Sequence, residues 1–593
     1  MIKNLNKIYD EELINFEISK LQDLSQEYSK FRINKKDLRK KIKLSISSDY
    51  TTNYFIEILK LFLINKKIQP DVCYSEFGSL RYNIRNLKSN FWNRDNDFFI
   101  LIPSSQNFSF FPEIQDSKKI IKQKAISEAQ LWLDAWSKVD KNIIQTTFDP
   151  PLIPRFGNED AVRYGGGLHF IRLVNSILID NLPPHVNLID IENLIFSSPK
   201  SNWQDSRLFH LTKQPFNMET IPGFAKNICG RITGTLGMAK KVIVVDLDNT
   251  LWGGIIGDDG LDGIKLDINS AEGEAYLNFH KFLKNLSLNG IVLCVCSKND
   301  EKVAKEVFKK HKETILKLDD FTIFLANYDD KATNIRKISK TLNLGLDSFV
   351  FIDDSKIECS IVKKTLPEVS VVNVDPAEPS EYIKKVESYN FFYFKNSTKE
   401  DLSRVKSYQK IKKYEDIKVN TKSLEIFLKE LMPKISLKKV NNSNVARSSQ
   451  LLAKTNQFKF NSKIFSEKEL LKIKDQTMVI SFKDKIQNYG IIAILVFKKD
   501  KKKKSIEIEN WVMSCRVFSR RIENFIIDKL MEESKKEKYD KIIFKFDKTN
   551  KNIYLQEFLK KLSIKIEKNK KKYHHNIVDV INNEKSYIKL YRV

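Results

Sequence analysis

From about Lys41 to Ile195, short apolar runs alternate with longer stretches of helical period. Lys43–Ser47, Asp71–Tyr74 and Phe98–Pro103 predict strands, and Thr52–Ile64 predicts a helix. That alternation points to an α/β unit with a largely parallel sheet. Ser197 to Phe216 is polar and aromatic and reads as connection, and Phe224–Met238 predicts a linking helix. A second α/β unit opens at Lys241. Its β-branched run Val242–Val245 is the pattern of a strand buried on both faces. Ala275–Leu288, Asp300–His311 and Lys331–Leu342 predict helices, and Ile291–Val295, Phe321–Ala326, Ser348–Ile352 and Val371–Val374 predict strands. This is a doubly wound sheet, which takes ligands at the carboxyl ends of its strands. Pro376 to about Asn420 is charged and helical, a connector. From Ile435 the pattern is α+β: a strand, the helix Asn444–Leu452, and antiparallel strands Met478–Phe482, Gly490–Phe497 and Ser505–Met513. The helix Ser519–Glu533 and the strand Lys541–Phe546 follow. The expected organisation is a helical extension (1–40), an α/β domain (41–220), a linking helix (221–240), a central α/β domain (241–375), a helical connector (376–434) and an α+β domain (435–593).

A length of 593 residues with 41% hydrophobic and 11% aromatic residues supports several cores and excludes a wholly disordered chain. The 102 Lys and Arg against 75 Asp and Glu give a formal charge of +27. The basic residues are interspersed along helix faces and concentrate only in Lys501–Lys504 and Lys570–Lys572, so a solvated surface accounts for them. No helix-turn-helix, RNP or zinc pattern accompanies the charge, and no nucleic-acid partner is expected. The six cysteines include no C-x-x-C pair and form no disulfide framework. Without a signal-peptide pattern or a long apolar stretch, a soluble, cytoplasmic protein with no membrane partner is expected.

The chemistry concentrates after the first buried strand of the central unit, at Asp246-Leu-Asp248-Asn-Thr250. Two aspartates one residue apart leave the sheet on one side of the chain and can converge on one point. Phosphoryl transfer needs a nucleophilic oxygen, a proton donor for the leaving group and positive charge against the phosphate. Asp246 suits the nucleophile, and Asp248 the acid and then the base. Asp353 and Asp354 follow another buried strand and complete a hard oxygen site for Mg²⁺ with Asp246 and Asp248. Ser297 ends the second strand and Lys331 opens a helix after the third; a hydroxyl and an ammonium suit phosphate oxygens. Any one of these aspartates alone fits a turn or a helix cap.

In order and placement these residues resemble the four motifs of the haloacid dehalogenase superfamily of phosphatases. The flanks Leu251-Trp-Gly-Gly-Ile-Ile-Gly257-Asp-Asp-Gly260, Gly273-Glu-Ala-Tyr276, Cys296-Ser-Lys-Asn299 and Leu344-Gly-Leu-Asp-Ser348 resemble its FkbH-like subfamily. So do Tyr164–Gly167 and Lys213-Gln-Pro-Phe216 upstream, and Thr455-Asn-Gln-Phe458 and Met513-Ser-Cys-Arg516 downstream. The resemblance implies a multidomain α/β protein: a central doubly wound, capless (Rossmannoid) domain flanked by an SGNH-like α/β domain and a GNAT-like α+β domain. Phosphate would be bound by Thr250, Ser297 and Lys331. The implied reaction takes 1,3-bisphosphoglycerate, removes phosphate and delivers a glyceryl thioester to a phosphopantetheinylated acyl carrier protein. Cys296, beside Ser297, is the first candidate for an acyl-carrying thiol, and Cys515 the second. With only Trp252–Leu261 as a flap, the site would be open enough for a carrier protein, and a basic surface would speed encounter with an acidic one. The chain departs from the family after the second aspartate pair, where Ser355-Lys356-Ile-Glu358-Cys359 replaces Asn-Pro and Glu-Arg.

The flanking domains lack their families' full chemistry. Ser47-Ser-Asp-Tyr-Thr-Thr52 replaces the Gly-Asp-Ser of SGNH hydrolases, and neither His169 nor His210 has an aspartate three residues before it. A scaffold or docking role is expected for that domain. In the GNAT-like domain, Arg516-Val-Phe-Ser519-Arg-Arg521 stands where a glycine-rich pyrophosphate loop would be. Asn456, Arg516 and Arg520 are the expected contacts to a pantetheine arm, with Gln457 and Phe458 beside them. Two other functions remain open: a simple phosphatase on a sugar- or polyol-phosphate, and a non-catalytic scaffold that binds a carrier protein.

Overall fold

In the computed structural model the described residues are 40–197, 203, 205–214, 216–394, 404–408, 431–455, 457–485, 487–518, 520–549, 552–561, 565–566, 572–576 and 588–590. The expected helical extension and most of the expected connector lie outside them. The chain divides into two units, Met1–Thr233 and Gly234–Val593.

The first unit carries β1 (Lys40–Ser48), α1 (Asn53–Asn65), β2 (Ile68–Tyr74), β3 (Phe98–Ile102), α2 (Lys118–Lys138), β4 (Asn142–Thr146), α3 (Gly167–Asp180) and β5 (Val186–Ile189). Its sheet is parallel throughout in the order β2-β1-β3-β4-β5, as the alternating pattern implied. The apolar stripes of α2 and α3 cover one face, with Trp132, Trp136 and Phe170 fully buried. Tyr164–Gly167 is a built turn. The Asp160 carboxylate accepts hydrogen bonds from the backbone N–H groups of Arg155, Phe156, Gly167 and Leu168 at 2.7–3.1 Å. Burial alone would raise its pKa, yet these four donors hold it below the ordinary carboxylate value. A Cβ on Gly166 would lie 2.1 Å from the Asp160 carbonyl oxygen, so only glycine fits there. His169 packs against Tyr164 with ring centroids 4.6 Å apart and the rings tilted by 47°, and Asp205 caps a helix by accepting from Leu208 N–H.

The linking helix is α4 (Ile221–Thr235). In the second unit, β6 (Val242–Val245) lies at the centre of a five-stranded parallel sheet of order β10-β9-β6-β7-β8. The other strands are β7 (Val292–Ser297), β8 (Phe321–Ala326), β9 (Phe349–Asp353) and β10 (Ser370–Asn373). The helices are α5 (Ile256–Gly263), α6 (Ala271–Leu288), α7 (Glu301–Lys310), α8 (Lys331–Leu342), α9 (Lys356–Thr365) and α10 (Tyr382–Ser388). Side chains alternate between two apolar layers. Ile243, Val245, Leu293 and Val295 face one layer, and Val242, Val244, Cys294 and Cys296 face the other. The chain winds outward from β6 through β7 and β8 and returns at β9 on the other side of β6. The switch point therefore lies between β6, which is followed directly by Asp246, and β9, which ends in Asp353. The core does not stop at the expected boundary of 375: Tyr382, Val386, Tyr389 and Phe391 belong to it.

The C-terminal α+β domain contains β11 (Lys434–Lys438), α11 (Val445–Lys454), β12 (Thr477–Lys483), β13 (Asn488–Asp500), β14 (Ser505–Met513), α12 (Ile522–Lys536), β15 (Lys541–Lys545) and α13 (Ile553–Lys561). β11 to β14 pair antiparallel, while β14 pairs parallel with β15 only from Ser505 to Ile508. Beyond that point the chain's own Phe458–Phe460 lies along β14. Met513 N–H donates to Phe458 O and Phe460 N–H to Trp511 O, both at 3.1 Å. Asp547 N–H, just past β15, donates to Phe460 O at 2.7 Å. No helix of the described residues is long and apolar enough to cross a membrane.

Replacing Asp160 with alanine strands buried N–H groups, each worth about 1–3 kcal/mol. Asp160→Ala is expected to lower the urea midpoint of the first unit by the equivalent of about 2–3 kcal/mol; an unchanged midpoint would contradict the turn's role.

Candidate active site

Four loops at the carboxyl edge of the central sheet converge. β6 delivers Asp246, β9 delivers Asp353 and Asp354, β7 delivers Ser297, and α8 opens with Lys331 after the N-cap Asp330. Lys331 Nζ lies 3.0 Å from Asp246 Oδ1 and 2.5 Å from Asp353 Oδ2, and all three side chains are buried. Burial would lower the lysine pKa, but Asp246 and Asp353 together hold it well above its ordinary value. The ammonium stays charged.

Asp246, Asp353 and Asp354 each place a carboxylate oxygen within 4.8 Å of the others. Burial first and the charge of Asp246 second push Asp353 up to about 7 against the pull of Lys331. Asp354 is raised for the same two leading reasons. Three carboxylates sharing one ammonium leave two formal negative charges at full ionisation, and a divalent cation with a preference for hard oxygen donors fits that deficit. Asp248, also expected as a ligand, is not part of this group. Its Oδ1 accepts from Trp252 Nε1 at 2.9 Å and from Ile256 N–H at 3.0 Å, and its Oδ2 accepts from Asn299 Nδ2 at 2.8 Å.

The loop after β6 is held from outside. Asn249 adopts a left-handed conformation (φ 54°), its Oδ1 accepts from Gly254 N–H, and its carbonyl accepts from Tyr382 Oη at 2.8 Å. Ser297 Oγ accepts from Asn299 Nδ2 at 3.2 Å. Thr250, expected at the phosphate, is fully buried with an Oγ that makes no hydrogen bond. Nothing is inserted between β6 and β7 except α5 and α6, and Gly253 pairs with Lys265 to close a short flap around α5. In the departing segment, Ser355 caps α9, Glu358 pairs with Lys298 at 2.6 Å, and Asn373 Nδ2 donates to the carbonyls of Asp353 and Asp354. Asn299, Asn373 and Tyr382 received no role from the sequence; Asn299 alone was signalled, two residues after Ser297.

Cys296 is a correction. Strand alternation turns it into the apolar layer with Cys294, its Sγ donates to Lys331 O at 3.7 Å, and it is fully buried. Burial holds the thiol neutral far above its ordinary pKa, with only partial opposition from Lys331. Cys515 is half-buried and lies 3.8 Å from Tyr408 Oη.

Two of the three expected pantetheine contacts, Arg520 and Arg516, are engaged within the protein. Arg520 is buried, ion-paired with Asp484, and lies over the Tyr489 ring at 4.5 Å. Arg516 is buried with Nε donating to Ser514 Oγ at 3.3 Å. Asn456 lies outside the described residues. With its amide oriented to satisfy both neighbours, Gln457 donates to Asn343 O and accepts from Gly345 N–H, each at 3.3 Å. Asn343 Nδ2 in turn donates to Cys515 O at 3.2 Å. Both downstream motifs therefore meet the C-terminal end of α8, the helix that begins with Lys331.

No family model matches the chain, and no curated protein does. Among solved structures, the chain is similar to the N-terminal part of the protein BF1531 from Bacteroides fragilis, containing a phosphatase domain complexed with Mg. The identity is 25% and the TM-score 0.57, over 64% of this chain and 99% of that one. Slighter similarities, too low to bear on function, are to the ribosomal-protein-S18-alanine N-acetyltransferase of Escherichia coli (8% identity, TM-score 0.19, 26% of this chain and 99% of that one) and to a haloacid-dehalogenase-family enzyme of Bacteroides thetaiotaomicron (17%, 0.17, 23% and 96%).

The raised pKa of Asp353 sets a pH dependence. Its protonated form is favoured in the folded protein, so the stability it contributes is present at low pH and lost between the ordinary carboxylate value and about 7. Cation-free protein is expected to show a Tm that falls from about pH 5 to pH 8 through this group. Mg²⁺ should raise Tm more at the higher pH, because cation binding requires ionised carboxylates. Equal Mg²⁺ stabilisation at both pH values would contradict the assignment.

Proposed function

We propose that the chain is a Mg²⁺-dependent phosphatase of the haloacid dehalogenase type that works through a phosphoryl group carried on Asp246. The observation that carries this reading is the buried convergence of Asp246, Asp353 and Asp354 with Lys331 at the switch point. The Mg-bound phosphatase domain of the similar Bacteroides fragilis structure supports the cation.

In this reading an Asp246 oxygen attacks phosphorus and the bond to the leaving oxygen breaks; that oxygen takes a proton from Asp248. Asp248 then takes a proton from water, whose oxygen attacks phosphorus, and the bond to Asp246 breaks to release phosphate. Lys331 stays protonated and holds Asp246 in place. Asp246, Asp353 and Asp354 would hold Mg²⁺, which would supply positive charge against the phosphate when bound. Ser297 is the hydroxyl for a phosphate oxygen.

The finer reading is that the substrate is an acyl phosphate such as 1,3-bisphosphoglycerate and that a glyceryl or related hydroxyacyl group passes to a phosphopantetheinylated acyl carrier protein. It is supported by the motif flanks and by the short flap, which suits a macromolecular acceptor. The competing reading, a simple phosphatase on a sugar- or polyol-phosphate, is favoured by the pairing of Arg520 with Asp484, which withdraws an expected carrier contact.

Asp246→Asn is expected to abolish phosphate release, with a loss of at least about 10³-fold in protein that remains folded; retained turnover would refute the nucleophile. Chelation of divalent cations should stop wild-type turnover reversibly. Intact mass of a carrier protein incubated with enzyme, Mg²⁺ and 1,3-bisphosphoglycerate separates the finer readings: a glyceryl adduct supports transfer, and phosphate release without an adduct supports the simple phosphatase.

A further inference from the structure

Asp248 is held by three donors from three separate places. Trp252 Nε1 comes from the start of the flap, Ile256 N–H from the first turn of α5, and Asn299 Nδ2 from the loop after β7. The donors are not shared evenly. Oδ1 accepts two N–H groups and is saturated, whereas Oδ2 accepts only Asn299 and keeps a free lone-pair direction. The Asn299 amide also donates to Ser297 Oγ at 3.2 Å, so one amide links the proton donor to the phosphate hydroxyl. The flap itself is tied to this arrangement. Three consecutive N–H groups, of Gly254, Ile255 and Ile256, are taken by Asn249 Oδ1, Asp259 Oδ2 and Asp248 Oδ1.

We infer that Trp252 and Asn299 are positioning residues that fix the Asp248 carboxyl so that Oδ2 faces the oxygen of the leaving group. This rests on the proposed reading in which Asp246 takes the phosphoryl group and Asp248 protonates the leaving oxygen. The proton moves from Oδ2 to the leaving oxygen as the phosphorus–oxygen bond breaks, and Oδ1 stays bound to its two N–H donors. A carboxyl free to rotate would still fold into the same loop but would spend part of its time with the wrong oxygen forward. The consequence is specific. A poor leaving group needs the proton in the transition state, and a good one departs as an anion without it. In the step that expels the leaving group, the two residues therefore matter for alkyl phosphates and matter little for activated aryl phosphates.

The test compares Trp252→Phe and Asn299→Ala with wild type on p-nitrophenyl phosphate and on a simple alkyl phosphate, both in Mg²⁺. Trp252 is fully buried with its ring 5.7 Å from that of Phe308, so phenylalanine keeps an aromatic ring there and removes the N–H. The expected result is a fall in kcat/KM, which reports the step in which the leaving group departs, of about 10- to 100-fold on the alkyl ester and less than about 3-fold on the aryl ester. A merely structural role would lower both kcat/KM values alike. Equal losses on the two esters, or no loss on either, overturn the inference while an inactive Asp246→Asn leaves the phosphatase reading standing. Wild type inactive on both esters, or Asp246→Asn active on both, overturns that reading and the inference with it.

Discussion

One ammonium facing two buried carboxylates is the constraint on which the central domain depends. Lys331 is charged, buried and shared between Asp246 and Asp353, and Asp354 adds a third carboxylate to the same point. Such a group is costly to bury, and breaking one partner of a buried pair commonly costs more than the pair contributes. Its persistence at a switch point, with a deficit of positive charge, is intelligible as a site that receives a cation and a phosphate. The sheet supplies the rigid frame: adjacent strands β6 and β9, paired in register from Val242–Phe349 to Val245–Ile352, deliver the two aspartates side by side.

Around that centre the loop is braced from a distance. Tyr382, from a helix beyond the last strand of the sheet, bonds the Asn249 carbonyl and holds the left-handed residue that directly follows Asp248. Asn373 ties the carbonyls of Asp353 and Asp354 to β10. Asp248 stands apart from the carboxylates around Lys331, with Oδ1 taken by two N–H groups and Oδ2 by the Asn299 amide alone. The two carboxylates one residue apart thus sit among different neighbours, an ammonium for Asp246 and neutral N–H donors for Asp248.

Much of this was legible in the chain itself. Val242–Val245 and Phe349–Ile352 are β-branched and aromatic runs too apolar for any place but a two-sided sheet, and aspartates directly after them have one direction to go. What local pattern could not carry was which side of a strand faces which layer at its last residues. Cys296 and Ser297 are neighbours in sequence, yet only Ser297 reaches the site, because strand alternation turns the thiol inward. Long-range partners were equally silent. Nothing around Asp484 announces an ion pair with Arg520, and nothing around Phe458–Phe460 announces a segment bonded to both β14 and the chain past β15. The C-terminal motifs read as a carrier-arm surface, and the structure brings Gln457 and Cys515 of them to the end of the helix that bears Lys331.

The central claim is that phosphate passes through the carboxylate of Asp246. Acid quench of the protein during turnover of a phosphate ester in Mg²⁺, followed by peptide mass analysis, tests it most directly. The account predicts the mass of one phosphoryl group on the peptide containing Asp246, lost when turnover ends. A phosphoryl group on any other residue, or none while the ester is being consumed, would contradict it.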